Sequence, residues 1–379
     1  MGNGEWGMGI FSPVDPKVPS VPFVPSRFLM NPERFWKSPK SLRRAREESL
    51  RIARAARDKA PPADVQIYSS SHSGDPHLDL FHRELKQIVE ALPPGFRALE
   101  WGAGMAWHAA LLAAHGAGIV TATEAGWTHE TPHALGNVYT LYRMAQKEPR
   151  LMNALRFGFD ETKTLRTVHF PDNLSFLHCG AEAMPVRDAS LDFLYSVNCV
   201  EHIPRLDLAF AEAARTLRLG GQLYATTEPL YYSAQGHHLG DIFAIPWGHL
   251  LWTADELADL VVKEAGDGRE WAPGIPLRRE HLLENVFPTL NGTAPADIRR
   301  ALAGGPWQIT SWLDMASAED EQAMRQIGLR DALSGIPPEA LLLRGLQFRL
   351  RRTDGPTGLR WPMRLSHRLR GALRSIIPR

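Results

Sequence analysis

Two groups of residues in this chain have types and spacing suited to chemistry. The first is ALEWGAGMAWH (98–108), where a short apolar run ends in Glu100 and Gly102 and Gly104 bracket Ala103. Glycines there allow a tight turn and let a ligand approach the main chain. A helix opening just after the turn would present its free N–H groups. Glu124 ends the next apolar run, close to the ~20 residues expected for a carboxylate that binds a ribose. The second group is His202 beside Glu201, with His237, His238, Asp241 and His249 among the Tyr and Trp residues of 231–252. Imidazole titrates near neutrality and can take a proton from a hydroxyl. The aromatic residues could stack on a ring or sugar and exclude water. His202, His237, His238 and His249 are therefore candidate bases. A cation among them, or simple packing of a long loop, are the other readings. The spacing matches no metal-ligand pattern, and no metal site is expected.

These residues need a frame. RALEW (97–101), GIVTATE (118–124), LSFLH (174–178), LDFLYSV (191–197) and QLYATTE (222–228) read as short buried strands. Helical stretches at 105–114 and 205–217 separate some of them, and 130–170 reads as mostly helical. This alternation implies a parallel sheet covered on both faces. WQITSWLDM (307–315) and LLLRGLQFRLR (341–351) are two further strand candidates. Thr253 and Glu256 form a capping box that should start a helix. Upstream, 41–59 reads as a charged helix with a narrow apolar stripe, and 76–91 as a second helix. The prolines at 13, 16, 19, 22 and 25 suit an extended arm.

Four stretches in order resemble the class I S-adenosylmethionine (SAM)-dependent methyltransferases, in particular the UbiE-like, methyltransferase type 11 group. Glu100-Trp101-Gly102-Ala103-Gly104-Met105-Ala106 is similar to the family's E/D-x-G-x-G-x-G, with Ala106 in place of the third glycine. GAEAMPVRDASLDFLYS (180–196), SVNCVEHI (196–203) and LRLGGQL (217–223) resemble the family's next three motifs. The resemblance implies a three-layer α/β sandwich. Its Rossmann-like, mostly parallel seven-strand sheet has an antiparallel last strand and a long insertion after the fifth. It further implies SAM as cofactor and S-adenosylhomocysteine as product. Glu100, Gly102, Ala103, Gly104, Glu124, Ala181, Glu182 and Asn198 are the implied cofactor residues. Gly180 stands where family members often place an acid for the adenine amine, so Ala181 or Glu182 is expected to replace it.

The composition is that of an ordinary globular protein, 44% hydrophobic and 22% charged, and the net charge of +1 points to no partner. Cys179 and Cys199 form no spaced framework, which suits a reducing, cytoplasmic setting. No signal peptide or membrane span is expected. Residues 1–60 read as an extension, 61–355 as the methyltransferase domain with a substrate lid at about 229–292, and 356–379 as a basic tail. In the tail, Trp361, Leu365, Leu369 and Leu373 alternate with Arg360, Arg364, Arg368 and Arg374. A basic amphipathic helix of this kind can dock on its own domain or make peripheral contact with an anionic membrane. SVNCV lacks the N/D-P-P-Y/F form found in methylases of base amines, so nucleic acid is not the expected partner. O-methylation of a sugar, a glycan precursor or another small hydroxylated metabolite is the leading expectation. An RNA methyltransferase and a non-catalytic scaffold are the alternatives.

Overall fold

The computed structural model describes residues 31–58, 79–126, 135–240, 242–266, 268–272 and 275–356. Seven strands form one sheet: β1 Arg97–Trp101, β2 Ile119–Thr123, β3 Leu174–Leu177, β4 Leu191–Val197, β5 Leu217–Thr227, β6 Trp307–Ala316 and β7 Leu343–Arg352. Their order across the sheet is β6-β7-β5-β4-β1-β2-β3. Strands β1 to β5 pair in parallel, while β7 runs antiparallel to both β5 and β6. The chain leaves β1 for β2 on one side and returns to β4 on the other. Open α/β sheets hold their ligands outside the carboxyl ends of the strands at such a reversal.

Side chains alternate across the sheet, as the pleat requires. Leu99, Trp101, Leu194, Leu223 and Ala225 join the core on one face. Ala98, Phe193, Tyr195 and Tyr224 join the core on the other. The second face is covered by Trp107–Ala114 and Leu135–Lys147. In Trp107–Ala114, every residue from His108 to Ala113 is buried, so that helix is an inner layer rather than an amphipathic cover. The first face takes Leu206–Thr216, which packs Ala209, Phe210 and Ala213 inward.

Three expectations about the frame change. Residues 156–169 are not helical: Arg156–Phe159 and Leu165–His169 form a hairpin. Its turn is built by Asp160, whose Oδ1 accepts from the Thr162 and Thr164 N–H groups. The helix Pro39–Arg57, started by Ser38 as cap, is no extension. Leu42, Ala45 and Ala53 belong to the main core, and the buried Ser49 hydroxyl donates to the Pro246 carbonyl at 2.6 Å. Arg46 donates to the Leu251 carbonyl and pairs with Glu256, and Arg54 pairs with Glu264. This helix braces the segment after β5. The third change concerns that segment itself, which is a packed layer rather than an open lid. Tyr231, Phe243, Ile245, Trp247, Leu250 and Leu251 are all buried in it. The helix Ala254–Ala265 that follows has the expected Thr253–Glu256 capping box. No helix among the described residues is long and apolar enough to cross a membrane. The proline-rich arm at 1–30, Asp241 and the basic tail at 357–379 lie outside the described residues.

Candidate active site

The carboxyl ends of β1, β2, β4 and β5 converge. After β1, Gly102 and Gly104 take left-handed backbone angles, φ +61° and +50°. At Gly102 a Cβ would also collide with Cys199 Sγ, so glycine is needed for conformation and for space. At Gly104 a Cβ would meet nothing, because the turn opens outward there. Ala106 is left-handed too, at φ 58°, which is why a third glycine suits that place in the motif.

Glu124 closes the turn from β2. Its carboxylate accepts from the Gly104 N–H at 3.2 Å and the Gly126 N–H at 3.3 Å. Glu100 points elsewhere. It is 2% exposed, accepts from the Tyr195 hydroxyl at 3.0 Å and lies 3.6 Å from His108 Nδ1. Burial, with Glu100 beside it, holds the Tyr195 phenol well above its ordinary pKa, so it stays a donor. The expectation that Glu100 reaches the cofactor is thus corrected. Its side chain shares a sheet face with Tyr195, turns into the core, and anchors the turn.

Ala103, which donates its N–H to the Thr123 carbonyl, is buried in the turn. Ala181 is also buried, and Glu182 Oε2 lies 2.8 Å from where a Cβ of Gly180 would be. The Glu182 carboxylate thus stands beside the position the resemblance reserves for an acid. Its other oxygen accepts from the Arg205 N–H. Asn198 leaves β4 with φ 49°, a conformation that asparagine tolerates better than most residues. Its N–H donates to the Thr226 carbonyl and fixes the exit of β4 to β5.

Directly after Asn198, a short turn at Val200–His202 sets Glu201 and His202 side by side. Glu201 is 2% exposed. Its Oε2 accepts from the Thr227 hydroxyl at 2.5 Å, and its Oε1 has no partner. Burial raises this carboxyl to about 8, although the Thr227 bond works against it. The His202 imidazole lies 3.1 Å through Nδ1 from the Thr289 carbonyl. A carbonyl can only accept, so Nδ1 carries the proton and the neutral ring keeps its lone pair on Nε2. Burial depresses the His202 pKa.

His238 arrives from the segment after β5 with its ring centre 5.0 Å from that of His202. It has a left-handed backbone at φ 59°, an uncommon state for a histidine. It hydrogen-bonds the Pro229 backbone, while its buried Nε2 has no partner. Burial, reinforced by His202 and His237, pushes it down to about 3. One ligand atom each from Glu201, His202 and His238 lies within 4.8 Å of the others.

The other two candidate bases are not in this group. His237 and His249 are both 0% exposed. The His237 ring bonds Ile245 O through Nε2 and accepts from the Leu239 N–H through Nδ1, so neither nitrogen is available. His249 bonds the Tyr231 carbonyl and packs against the Tyr231 and His237 rings. They tie a long segment to itself, away from the group of Glu201, His202 and His238. Trp247 and Tyr231 are likewise buried and cannot stack on a substrate.

Several site residues carry no signal of their own in the sequence. Thr227 orients Glu201. Thr289 and Asn291 buttress the 200–203 turn, Asn291 by donating through Nδ2 to the Val200 and Ile203 carbonyls. Glu201 stands out in the sequence only by its place beside His202. Thr289 and Asn291 do not stand out, because their contacts span nearly ninety positions.

Residues 152–225 match a family model described as a methyltransferase domain. Over that stretch the chain is similar to methyltransferase domains. The strand order and the antiparallel β7 agree with the fold the resemblance implies. No curated protein gives a significant sequence match. Among solved structures, the chain is 16% identical to a SAM-dependent methyltransferase from Mesorhizobium loti, with TM-score 0.34 over 70% of this chain and 96% of that one. It is 12% identical to geranyl diphosphate C-methyltransferase from Streptomyces coelicolor A3(2), with TM-score 0.36 over 81% and 98%.

The residues present fit the SAM that the sequence resemblance implies. The turn is open at Gly104, Glu124 stands at its mouth, and Glu182 lies beside Gly180.

Proposed function

We propose that this methyltransferase domain methylates a hydroxyl oxygen of a small acceptor, with a sugar or glycan precursor as the class to test first. The supporting observation is the trio at the exit of β4. Glu201 Oε1 and His238 Nε2 are buried without partners, and His202 Nε2 carries a free lone pair beside them. Unpartnered polar atoms are costly to bury, so such a group suits a polar ligand that completes its bonds. A hydroxyl is the simplest such ligand, and it needs its proton drawn away before it becomes a good nucleophile.

Bound SAM supplies a methyl group on a sulfonium, already a good leaving group. The chain's part is to position the acceptor. Gly102, Ala103, Gly104, Glu124 and Glu182 hold the cofactor side in this reading. Asn198 joins it to the acceptor side. Thr227, Thr289 and Asn291 are positioning residues that fix Glu201 and His202. We further propose a cytoplasmic protein whose 357–379 tail makes peripheral membrane contact, which would bring a lipid-linked glycan precursor within reach.

The test is incubation of the purified chain with SAM and a panel of hydroxylated sugars, other hydroxylated metabolites and amines. S-adenosylhomocysteine release is followed, and the methyl is located by fragmentation mass spectrometry. Methyl on oxygen is expected. Methyl on nitrogen or carbon alone would overturn the hydroxyl reading.

A further inference from the structure

We infer that Glu201, His202 and His238 form a binding site for a first-row divalent transition cation. The observation is geometric. Glu201 Oε1, His202 Nε2 and His238 Nε2 are the atoms left uncommitted when every other polar atom of these side chains is accounted for. Glu201 Oε2 is held by Thr227, and His202 Nδ1 by the Thr289 carbonyl. His238 bonds the Pro229 backbone and leaves Nε2 without a partner. Metal-bound histidines are built this way, with the second ring N–H donated to a backbone carbonyl and the ligating carboxylate itself hydrogen-bonded.

One ligand atom from each of the three side chains lies within 4.8 Å of the other two. Metal bonds of about 2.0–2.2 Å would draw them together by small side-chain rotations. The left-handed backbone at His238 is a second sign, since such strain gathers at ligand-holding positions. The turn is also braced from outside by Asn291, which limits how far Glu201 and His202 can relax away from a ligand.

The donor set selects the ion. Two imidazole nitrogens and one carboxylate suit zinc, manganese, iron, cobalt or nickel, and they suit magnesium or calcium poorly, since those prefer all-oxygen shells. Three protein ligands leave positions open for a small molecule. Sequence spacing hid the site because the third ligand comes from a separate segment, and residues 201, 202 and 238 make no recognisable motif.

This inference deepens the proposed function and rests on it for the acceptor, though not for the ion. With a cation in place, the two imidazoles act on an acceptor hydroxyl as ligands rather than as bases. The cation would bind the hydroxyl oxygen and lower its pKa, and the proton would leave to water.

The test uses the untagged full chain, stripped with a chelator. It is titrated with Co²⁺, read by visible absorption, and with Zn²⁺, read by calorimetry. S-adenosylhomocysteine binding is measured in parallel on every sample. One cation per chain is expected, with affinity reduced at least tenfold in Glu201→Gln and in His238→Asn while S-adenosylhomocysteine binding is kept. Crystals of the unaltered protein soaked in Zn²⁺ need no variant to fold, and their anomalous signal should lie between the three side chains. Wild-type protein that binds S-adenosylhomocysteine but no cation would overturn the site. So would a cation affinity untouched by both substitutions, or an anomalous peak elsewhere. A cation bound at the trio in an enzyme that methylates nitrogen would uphold the site and remove only the hydroxyl role.

Discussion

The turn after β1 and the trio at the exit of β4 follow the carboxyl ends of two neighbouring parallel strands, yet they are built by opposite means. The turn is local: Glu100, Gly102, Gly104 and Ala106 alternate along one short stretch of chain, and Glu124 closes it from the neighbouring strand. Backbone angles and free space define it, so residue type alone announces it. The trio is assembled from afar. Glu201 and His202 ride on a three-residue turn, Thr289 and Asn291 buttress them, and His238 comes from a loop whose own core is Trp247, His237 and His249. A site made of backbone tolerates variation in its surroundings. A site made of buried side chains depends on every layer that packs behind it.

This contrast can be broken most sharply at His202. His202→Ala should lower the rate of methyl transfer by about 10²–10⁴-fold and leave S-adenosylhomocysteine affinity within a few-fold of wild type, since the turn does not depend on it. Steady-state kinetics and calorimetry on the same preparation check both halves. Equal losses of rate and cofactor affinity would mean that the two regions are not separable.

Next comes the loop core. Trp247 is 0% exposed and donates through its indole to the Tyr232 carbonyl. Trp247→Ala should cost about 3–5 kcal/mol of stability in denaturant unfolding. It should disturb the trio, through His238, more than it disturbs cofactor binding.

A smaller effect lies in pH. Burial holds His249 well below its ordinary pKa, with His237 and His238 adding to the depression and the Tyr231 carbonyl opposing it. Below about 6.5 the unfolded chain binds a proton at this residue that the folded chain does not. Stability from this group is therefore present above pH 6.5 and lost as pH falls toward the folded value. Unfolding measured from pH 7 to pH 5 should show a slope shallower by up to about 1.4 kcal/mol per pH unit in His249→Gln. An unchanged slope would contradict a neutral, buried His249.

The smallest effect belongs to the turn. Ala106→Gly relieves a left-handed alanine at a cost in chain entropy. Stability should stay level or rise by up to about 1 kcal/mol. A clear loss would show that the Ala106 methyl is needed for packing.

The same contrast explains what could be read from the sequence. Strand β4 was legible to the residue, Leu191–Val197, because an apolar run with β-formers has few other fates. The capping box at Thr253 was legible because it is a local exchange of hydrogen bonds. The 156–169 hairpin was not, since its short strands carry charged and apolar residues that also suit a helix and its turn rests on Asp160 alone. The helix Pro39–Arg57 looked like an extension because its partners, Pro246, Leu251, Glu256 and Glu264, lie some two hundred positions away. The histidines of 231–252 looked alike on paper. Burial separated them, leaving His238 beside His202 and closing His237 and His249 inside the loop.

The central claim is that the turn of Gly102 and Gly104, closed by Glu124, holds SAM. Calorimetric titration of the purified chain with S-adenosylhomocysteine tests it most directly, beside Gly104→Asp and Glu124→Ala. Gly104→Asp places a bulky anion where the turn is open, and Glu124→Ala removes the carboxylate at its mouth. The account predicts saturable binding at one equivalent per wild-type chain and its loss in both variants. A folded wild-type protein that fails to bind, or variants that bind as tightly as it does, would contradict the account.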